Sequence, residues 1–565
     1  MTKTPETQAS ESRLSDNQSP DNRSSENPQS ELERAAWPEL PPELVQLLRE
    51  AGTEESVDAG HVLFEVGQPG YDFFYIDSGQ VDIVDRTRGS VVVSVHGPNF
   101  LGELGLLMGQ GTFFAGVAAR PTQLVRVTGP AIRTLIATVP ELSDILVTAF
   151  ASRRRRLLEW GEGGMTIVGH QGDVDCLRLL EFVSRNRVPH RFVDRGDSGA
   201  MAELGDVPNL PDEGTVLINF CGRVLESPAP LDAARLTGLD LTVDKEELFH
   251  LAVVGAGPAG LAAAVYAASE GLHTLVIEDT AIGGQAGTSS RIENYLGFST
   301  GISGADLAYQ GEIQAIKFGA RITVPRRAVG LREVDDCFEV ELDDGSYARA
   351  CAVVLACGVQ YRRLPLDRLK ELEGAGIYYA ATHLEARFCV GTDVVIIGGG
   401  NSAGQAAMFL SRHARCTHIV VRGDGLAATM SSYLSDRIHS DPRVRLWTQT
   451  QVTELHGDTQ LDAVTLTDRG TGEEKVIETR ALFIMIGAAP NTDWLRAKDD
   501  FGGIELDDKG FVVTGFDGDP FVTSHPGIYA VGDIRSGSVK RVASAVGQGS
   551  VVVSSVHRFL AAKES

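Results

Sequence analysis

The chain has no vicinal thiol pair. Its seven cysteines are Cys176, Cys221, Cys337, Cys351, Cys357, Cys389 and Cys416. No two are spaced Cys-x-x-Cys, so neither a zinc knuckle nor a vicinal redox pair can be read, and no metal site is expected. Long apolar runs are missing too: none approaches the ~20 residues that span a bilayer, and the first residues carry no basic-then-apolar signal. The expectation is a cytosolic protein without a membrane partner. An excess of basic residues is also absent, since 51 Lys and Arg face 76 Asp and Glu for a net charge of -25. Such a surface repels nucleic acid and anionic membrane, and neither is expected to bind. With 565 residues, 43% of them hydrophobic and 22% charged, the chain is globular in composition and too long for one core. About three or four domains are expected.

The organising stretch runs from His250 to Gln285. An apolar run (Leu251 to Val254) leads into Gly255-Ala256-Gly257-Pro258-Ala259-Gly260, then a small-residue helix, then a second apolar run closing at Glu278. Gly255 permits the tight turn, Gly257 lets backbone approach a pyrophosphate, and Gly260 lets helix and strand pack closely. Phosphates then sit on the free N–H groups of the helix start. Glu278 follows Gly260 by eighteen residues, where a carboxylate is expected to accept both ribose hydroxyls. Strand, turn, helix and acid agree on an adenine dinucleotide.

A second fingerprint begins at Asp393, with an apolar run into Gly398-Gly399-Gly400-Asn401-Ser402-Ala403-Gly404. The strand after it ends in Arg422, where an Arg favours a 2'-phosphate and a carboxylate would repel one, so NADPH is preferred over NADH. Between the two and beyond lie Ile282-Gly283-Gly284-Gln285, Ile292-Glu293-Asn294, Phe483 to Gly487, and the apolar strand ending in Gly532-Asp533.

Together these motifs make residues 249–562 resemble thioredoxin reductase and its low-molecular-weight relatives. The resemblance implies FAD lined by Gly284, Gln285 and Asn294, with Asp533 on the ribityl chain and Arg541, Val542 and Ala543 beside the isoalloxazine ring. It also implies a homodimer. That family's Cys-x-x-Cys lies just before the second fingerprint, where this chain reads Tyr378-Tyr379-Ala380-Ala381-Thr382-His383. Disulfide exchange needs an attacking and a resolving thiol, and Ala380 and His383 supply neither. His383 either stabilises reduced flavin, or delivers a proton to an acceptor, or is a space-filling histidine. Cys357, inside Ala356-Cys357-Gly358, and Cys389 read as core thiols.

Residues 1–35 are polar and read as a disordered tail. From Val57 to Val127, short apolar runs alternate with glycine turns, which argues an all-β roll. Helices at 42–50, 129–138 and 140–159 flank it. This stretch resembles the cyclic-nucleotide-binding domain, with Phe100-Leu101-Gly102-Glu103-Leu104 as its phosphate cassette. No Arg follows within Gly105 to Phe114, which argues against a cyclic nucleotide as ligand. The run Arg153 to Arg156 reads as a solvated or dipole-complementing cluster at a helix end. Residues 165–240 read βαβ and then two strands, which resembles glutaredoxin and thioredoxin. The motif position there holds a single cysteine, Cys176.

The expected chain is thus multidomain: tail 1–35, β-roll with flanking helices 36–160, thioredoxin-like α/β 165–240, and two Rossmann-like domains. These comprise an FAD domain in two parts (249–361 and 481–565) around an NAD(P)H domain (362–480). The expected function is FAD-dependent oxidation of NADPH or NADH, with electrons passing to a small molecule or redox protein without a vicinal thiol pair. The alternatives are a non-catalytic flavin or ligand sensor, and a disulfide reductase working through an unpaired thiol.

Overall fold

The computed structural model describes residues 28–564 apart from 69, 87, 109, 161–164, 171–172, 205–206, 220–221, 240–242, 244, 290–291, 293, 373–374, 380, 382, 427–429 and 496–502. Most of the polar tail, Cys221, Glu293 and Ala380 therefore lie outside the described residues. Part of the tail does not: Pro28–Ala36 is a helix. Ala36 is fully buried and Trp37 stacks on the Arg153 guanidinium at 4.0 Å. The Ala35-Ala36-Trp37 edge provides the apolar contact that the polar composition hid.

The roll consists of two four-stranded antiparallel sheets. Phe73, Phe100 and Phe150 close its core with ring centroids 5.7 to 6.5 Å apart, a spacing that suits tilted aromatic packing. The helices Gly129–Thr138 and Pro140–Trp160 follow as read. The next module is a four-stranded sheet in which Arg191–Asp194 pairs parallel, and Val216–Ile218 antiparallel, with the central strand Thr166–Gly169. A helix at Ser198–Leu204 was not legible, because its packed face is only Ala200, Met201 and Leu204, all half-buried.

The first dinucleotide domain is built on the parallel strands Leu248–Val254, Thr274–Ile277, Arg321–Thr323, Tyr347–Leu355 and Ile528–Ala530. Such strands, covered on both faces, need continuous apolar runs, and Leu251 to Val254 is one. The inserted domain has five parallel strands, among them Asp393–Ile397, Cys416–Val420 and Ala481–Ile484. This corrects the expected boundary at 480. Ala481–Ile484 belongs to the inserted sheet, and the chain returns only at Ala488–Pro490. A fully buried apolar strand carries no mark of which parallel sheet it joins. Among the described residues, no single helix is long and apolar enough to cross a membrane.

The N-terminal modules are packed into the flavoprotein half. Ile313, from the helix Gly304–Lys317, sits in the roll's core, and Val324 sits in that of the thioredoxin-like module. Lys317 pairs with Asp144 at 2.8 Å. Arg187 donates to the Ala305 carbonyl at 2.9 Å and lies over the Tyr309 ring at 4.0 Å. Glu312 is buried at this junction, where burial pushes its carboxyl up to about 7 against the pull of Arg187 and Arg154.

Candidate functional site

Three loops meet at the start of the helix Pro258–Ser269. Gly255 takes φ +108°, and a Cβ there would lie 2.4 Å from the Ala356 carbonyl oxygen. A Cβ on Gly260 would lie 1.8 Å from the Gly255 oxygen. Both positions therefore require glycine on steric grounds. At Gly257 an added Cβ meets nothing within 4 Å, so the backbone faces open space. Gly257 caps the helix without any side-chain hydrogen bond, which leaves the first N–H groups available to a phosphate.

The Ile282 to Gln285 loop crosses this opening. Gly283 N–H donates to the Ala256 carbonyl at 2.8 Å, and Gly284 lies so close to Gly257 that a Cβ would stand 3.1 Å from its Cα. Gln285 and Asn294 are exposed beyond it. From the other side, Gly532-Asp533 follows the strand Ile528–Ala530; Gly532 N–H donates to Gln548 at 2.8 Å, and its Cβ position is 2.8 Å from Ala259. Asp533 is half-buried, and burial raises its carboxyl pKa against the opposing charge of Lys540. Arg541, Val542 and Ala543 lie at the start of the last helix, with Arg541 and Ala543 exposed.

Glu278 departs from expectation in one respect. Its carboxylate is buried and accepts the N–H groups of Ala256 (2.7 Å), Thr280 (3.1 Å) and Ala281 (3.2 Å). Burial raises its pKa, and these bonds oppose the rise. A carboxylate offers about four acceptor positions, so about one is left for a hydroxyl, rather than the two expected. Sequence reasoning also missed the hold from outside the domain. Arg185 donates to the Gly284 carbonyl at 3.4 Å and Asn186 to the Thr280 carbonyl at 3.2 Å, so the thioredoxin-like helix braces this loop.

In the inserted domain Gly398 takes φ +143°, and a Cβ would stand 2.3 Å from the Met485 oxygen. Gly400 caps the helix Asn401–Leu410, again without a side-chain hydrogen bond. Ala403 is fully buried under the turn, Ser402 is exposed, and Asn401 is engaged by the Ser431 N–H at 2.7 Å. Arg422 is exposed just past the strand Cys416–Val420. Arg469 donates to its carbonyl at 3.2 Å from a distant hairpin. A second cation thus stands beside Arg422, from a part of the chain that local motif reading does not join to it.

Ile377–Tyr378 pairs parallel with Ala481–Ile484. Tyr378 therefore ends at the carboxyl edge of the sheet, where ligands bind in such folds; of the residues that follow it towards His383, Ala380 and Thr382 lie outside the described residues. His383 opens the helix His383–Phe388. Two of the thiols near these cradles are core groups: Cys389 donates to the Glu385 carbonyl at 3.2 Å, and burial pushes it and Cys357 up to about 12. Cys176 is fully buried against Gly169 and Thr215, and burial lifts it to about 11. A thiol held protonated does not attack disulfides.

The cassette holds the largest correction. Arg153 and Arg154 are not solvated: they are 7% and 2% exposed. Arg154 makes two hydrogen bonds to Glu103 Oε2, at 2.9 and 2.6 Å, and reaches Gln110 at 3.1 Å. Burial alone would lower its pKa, and Glu103 more than reverses that. The one carboxylate of the cassette is thus already paired within the chain.

Residues 249–549 match the family described as pyridine nucleotide-disulphide oxidoreductase, and residues 54–139 match the cyclic nucleotide-binding domain. A thioredoxin reductase of Streptomyces clavuligerus is 34% identical over 314 residues, covering 55% of this chain and 94% of its own length. A Bacillus subtilis protein named NADH dehydrogenase is 29% identical over 391 residues, 68% of this chain and 73% of that one. The crystal structure of T. acidophilum thioredoxin reductase superposes with a TM-score of 0.51 at 32% identity, covering 55% of this chain and 99% of that one.

Proposed function

This chain belongs to the pyridine nucleotide-disulphide oxidoreductase family, in thioredoxin reductase-like form, and from that premise we propose an NADPH oxidase or reductase whose electrons leave without a vicinal thiol pair. It is an FAD-dependent oxidoreductase that uses FAD and NADPH. When bound, the two cofactors supply hydride transfer from nicotinamide to flavin. The open backbone at Gly257, the uncapped helix start and the half-buried Asp533 fit FAD. Gly284 keeps the crossing loop low enough to clear it, and Arg185 fixes that loop from outside. Gly398 and Gly400 shape the second cradle in the same way, and Arg422 with Arg469 offers paired cations to a 2'-phosphate.

The observation that carries the acceptor proposal is the sequence Ala380-Ala381-Thr382-His383, which holds no cysteine and follows the strand Ile377–Tyr378 at the carboxyl edge of the inserted sheet. His383, at a helix start on that edge, is proposed to hand a proton to the acceptor, a quinone, dioxygen or another small oxidant. Anaerobic mixing with NADPH is expected to bleach the flavin, and a quinone or dioxygen to restore its colour repeatedly. Persistent oxidised absorbance after NADPH would refute the enzyme reading. Faster reoxidation by a protein disulfide than by any quinone or dioxygen would refute the acceptor.

Two substitutions test the assignments. Arg422→Ala together with Arg469→Ala should raise KM for NADPH about ten-fold or more while leaving NADH oxidation unchanged, since each lost charge-assisted bond costs about 1.5–3 kcal/mol. Steady-state kinetics with both nucleotides decide this. Cys176→Ser should leave every turnover rate unchanged; a loss of disulfide reduction would restore the unpaired-thiol route.

A further inference from the structure

The β-roll contains a cavity of about 110 Å³ lined by fifteen residues, and its wall is mostly apolar: Phe64, Ile83, Val92, Val93, Leu101 and Phe113 are among them. It lies against Gly102 and Glu103, at the cassette itself. A dry cavity of about 150 Å³ takes up benzene; this one is smaller but open on one side, so it suits an alkyl chain that enters end-on. A nucleotide is several times larger, and its phosphate would have to compete with Glu103 for Arg154.

The charges at the cavity do not cancel. Glu103 is paired with Arg154 at 2.6 Å, and Arg156 pairs with Glu33 at 3.5 Å. Arg153, which also lines the cavity, has backbone oxygens as its partners: Nε donates to the Ala36 carbonyl (2.8 Å) and Nη1 to that of Gly102 (2.7 Å). Its Nη2 is buried with no hydrogen-bond partner. The rings of Trp37 and Phe100 stack on it at 4.0 and 4.4 Å. Burial lowers Arg153 to about 9 against the opposing pull of Tyr71 and Glu103, so it is charged at neutral pH; the Glu103 carboxylate is bonded to Arg154 instead, and a buried cation that only shares a counter-charge favours a further anion beside it.

We propose that the β-roll cavity binds an apolar monocarboxylate, its hydrocarbon part among Phe64, Val93 and Phe113 and its carboxylate beside Arg153, in place of the cyclic nucleotide that the fold suggests. The site is separate from both dinucleotide cradles and does not depend on the identity of the electron acceptor.

Isothermal titration of the full-length, flavin-loaded protein tests this with three probes: octanoate, octan-1-ol and 3',5'-cyclic AMP. Octanoate is expected to bind saturably at one per chain. Octan-1-ol should bind about ten-fold more weakly, the loss expected when one charge-assisted contact is missing, and cyclic AMP should give no heat. Val93→Trp, which fills the cavity from a half-exposed strand, should abolish octanoate binding while flavin content stays unchanged. Arg153→Met should reduce octanoate affinity to that of the alcohol. Saturable cyclic AMP binding would overturn the proposal. So would absent or unsaturable octanoate binding, equal affinities for acid and alcohol, or octanoate binding that persists in Val93→Trp. Should Arg153→Met fail to fold, the alcohol and Val93→Trp still decide.

Discussion

Replacing Gly260 with valine is expected to yield a protein that purifies colourless. The added Cβ would lie 1.8 Å from the Gly255 carbonyl oxygen and 3.3 Å from the Ala356 side chain. The near neighbour is backbone, so the strand-to-helix turn must move. Overpacking of this kind costs about 1–3 kcal/mol or more even when side chains can shift, and here it falls on the turn that presents free N–H groups to the pyrophosphate. Flavin-to-protein absorbance ratio and thermal unfolding are the readouts. Gly257→Ala is the matching control: nothing stands near its Cβ and its φ of -70° suits any residue. It should therefore fold normally and lose flavin affinity only through contact with the ligand. If Gly260→Val retained full flavin occupancy, the location of the cradle would be wrong.

Arg154→Met should destabilise the protein by about 3–5 kcal/mol, the usual cost of stranding one member of a buried ion pair. Glu103 would lose both hydrogen bonds to the guanidinium, and Gln110 a third. The double variant Glu103→Gln with Arg154→Met should recover much of the loss, because Glu103 is then no longer a buried charge stripped of its partner. The effect should also extend beyond the roll. Arg154 Nη1 donates to the Arg187 carbonyl at 3.4 Å, and Arg187 in turn holds Ala305 and Tyr309 of the flavin domain. Accordingly, hydrogen exchange in the helix Gly304–Lys317 should quicken in Arg154→Met. Calorimetry and exchange mass spectrometry together separate this from damage confined to the roll.

These residues also mark how far the sequence could be read. The glycine turns were legible because what they demand is local: Gly255, Gly260 and Gly398 have no room for a side chain, and the requirement shows in the residue itself. The partner of Glu103 was not legible. It lies fifty-one positions away, and four consecutive arginines on a helix look solvated unless the helix is known to lie over the cassette. The run from Phe483 to Gly487 was read as part of the flavin domain, whereas Ala481–Ile484 is a strand of the inserted sheet, since burial on both faces erases the pattern that would assign it. Glu278 was placed correctly at the strand end, but its free valences were overcounted, because backbone N–H groups leave no trace in sequence. Arg469 was missed for the reason Arg154 was misjudged, since side chains converge through tertiary packing.

The chain enters the inserted domain through Val359–Tyr361 and leaves it through Ala488–Pro490, and those two segments pair antiparallel with Val359 opposite Pro490 and Tyr361 opposite Ala488. Topologically the whole NADPH-binding unit is the loop of a β-hairpin. Its ends are already at the separation that a two-residue turn spans, so residues 362–487 could be exchanged for Asn-Gly without stretching the strands on either side. The seam is thus a natural excision point, and a chain cut and rejoined there would isolate the flavin-binding half from its reductant.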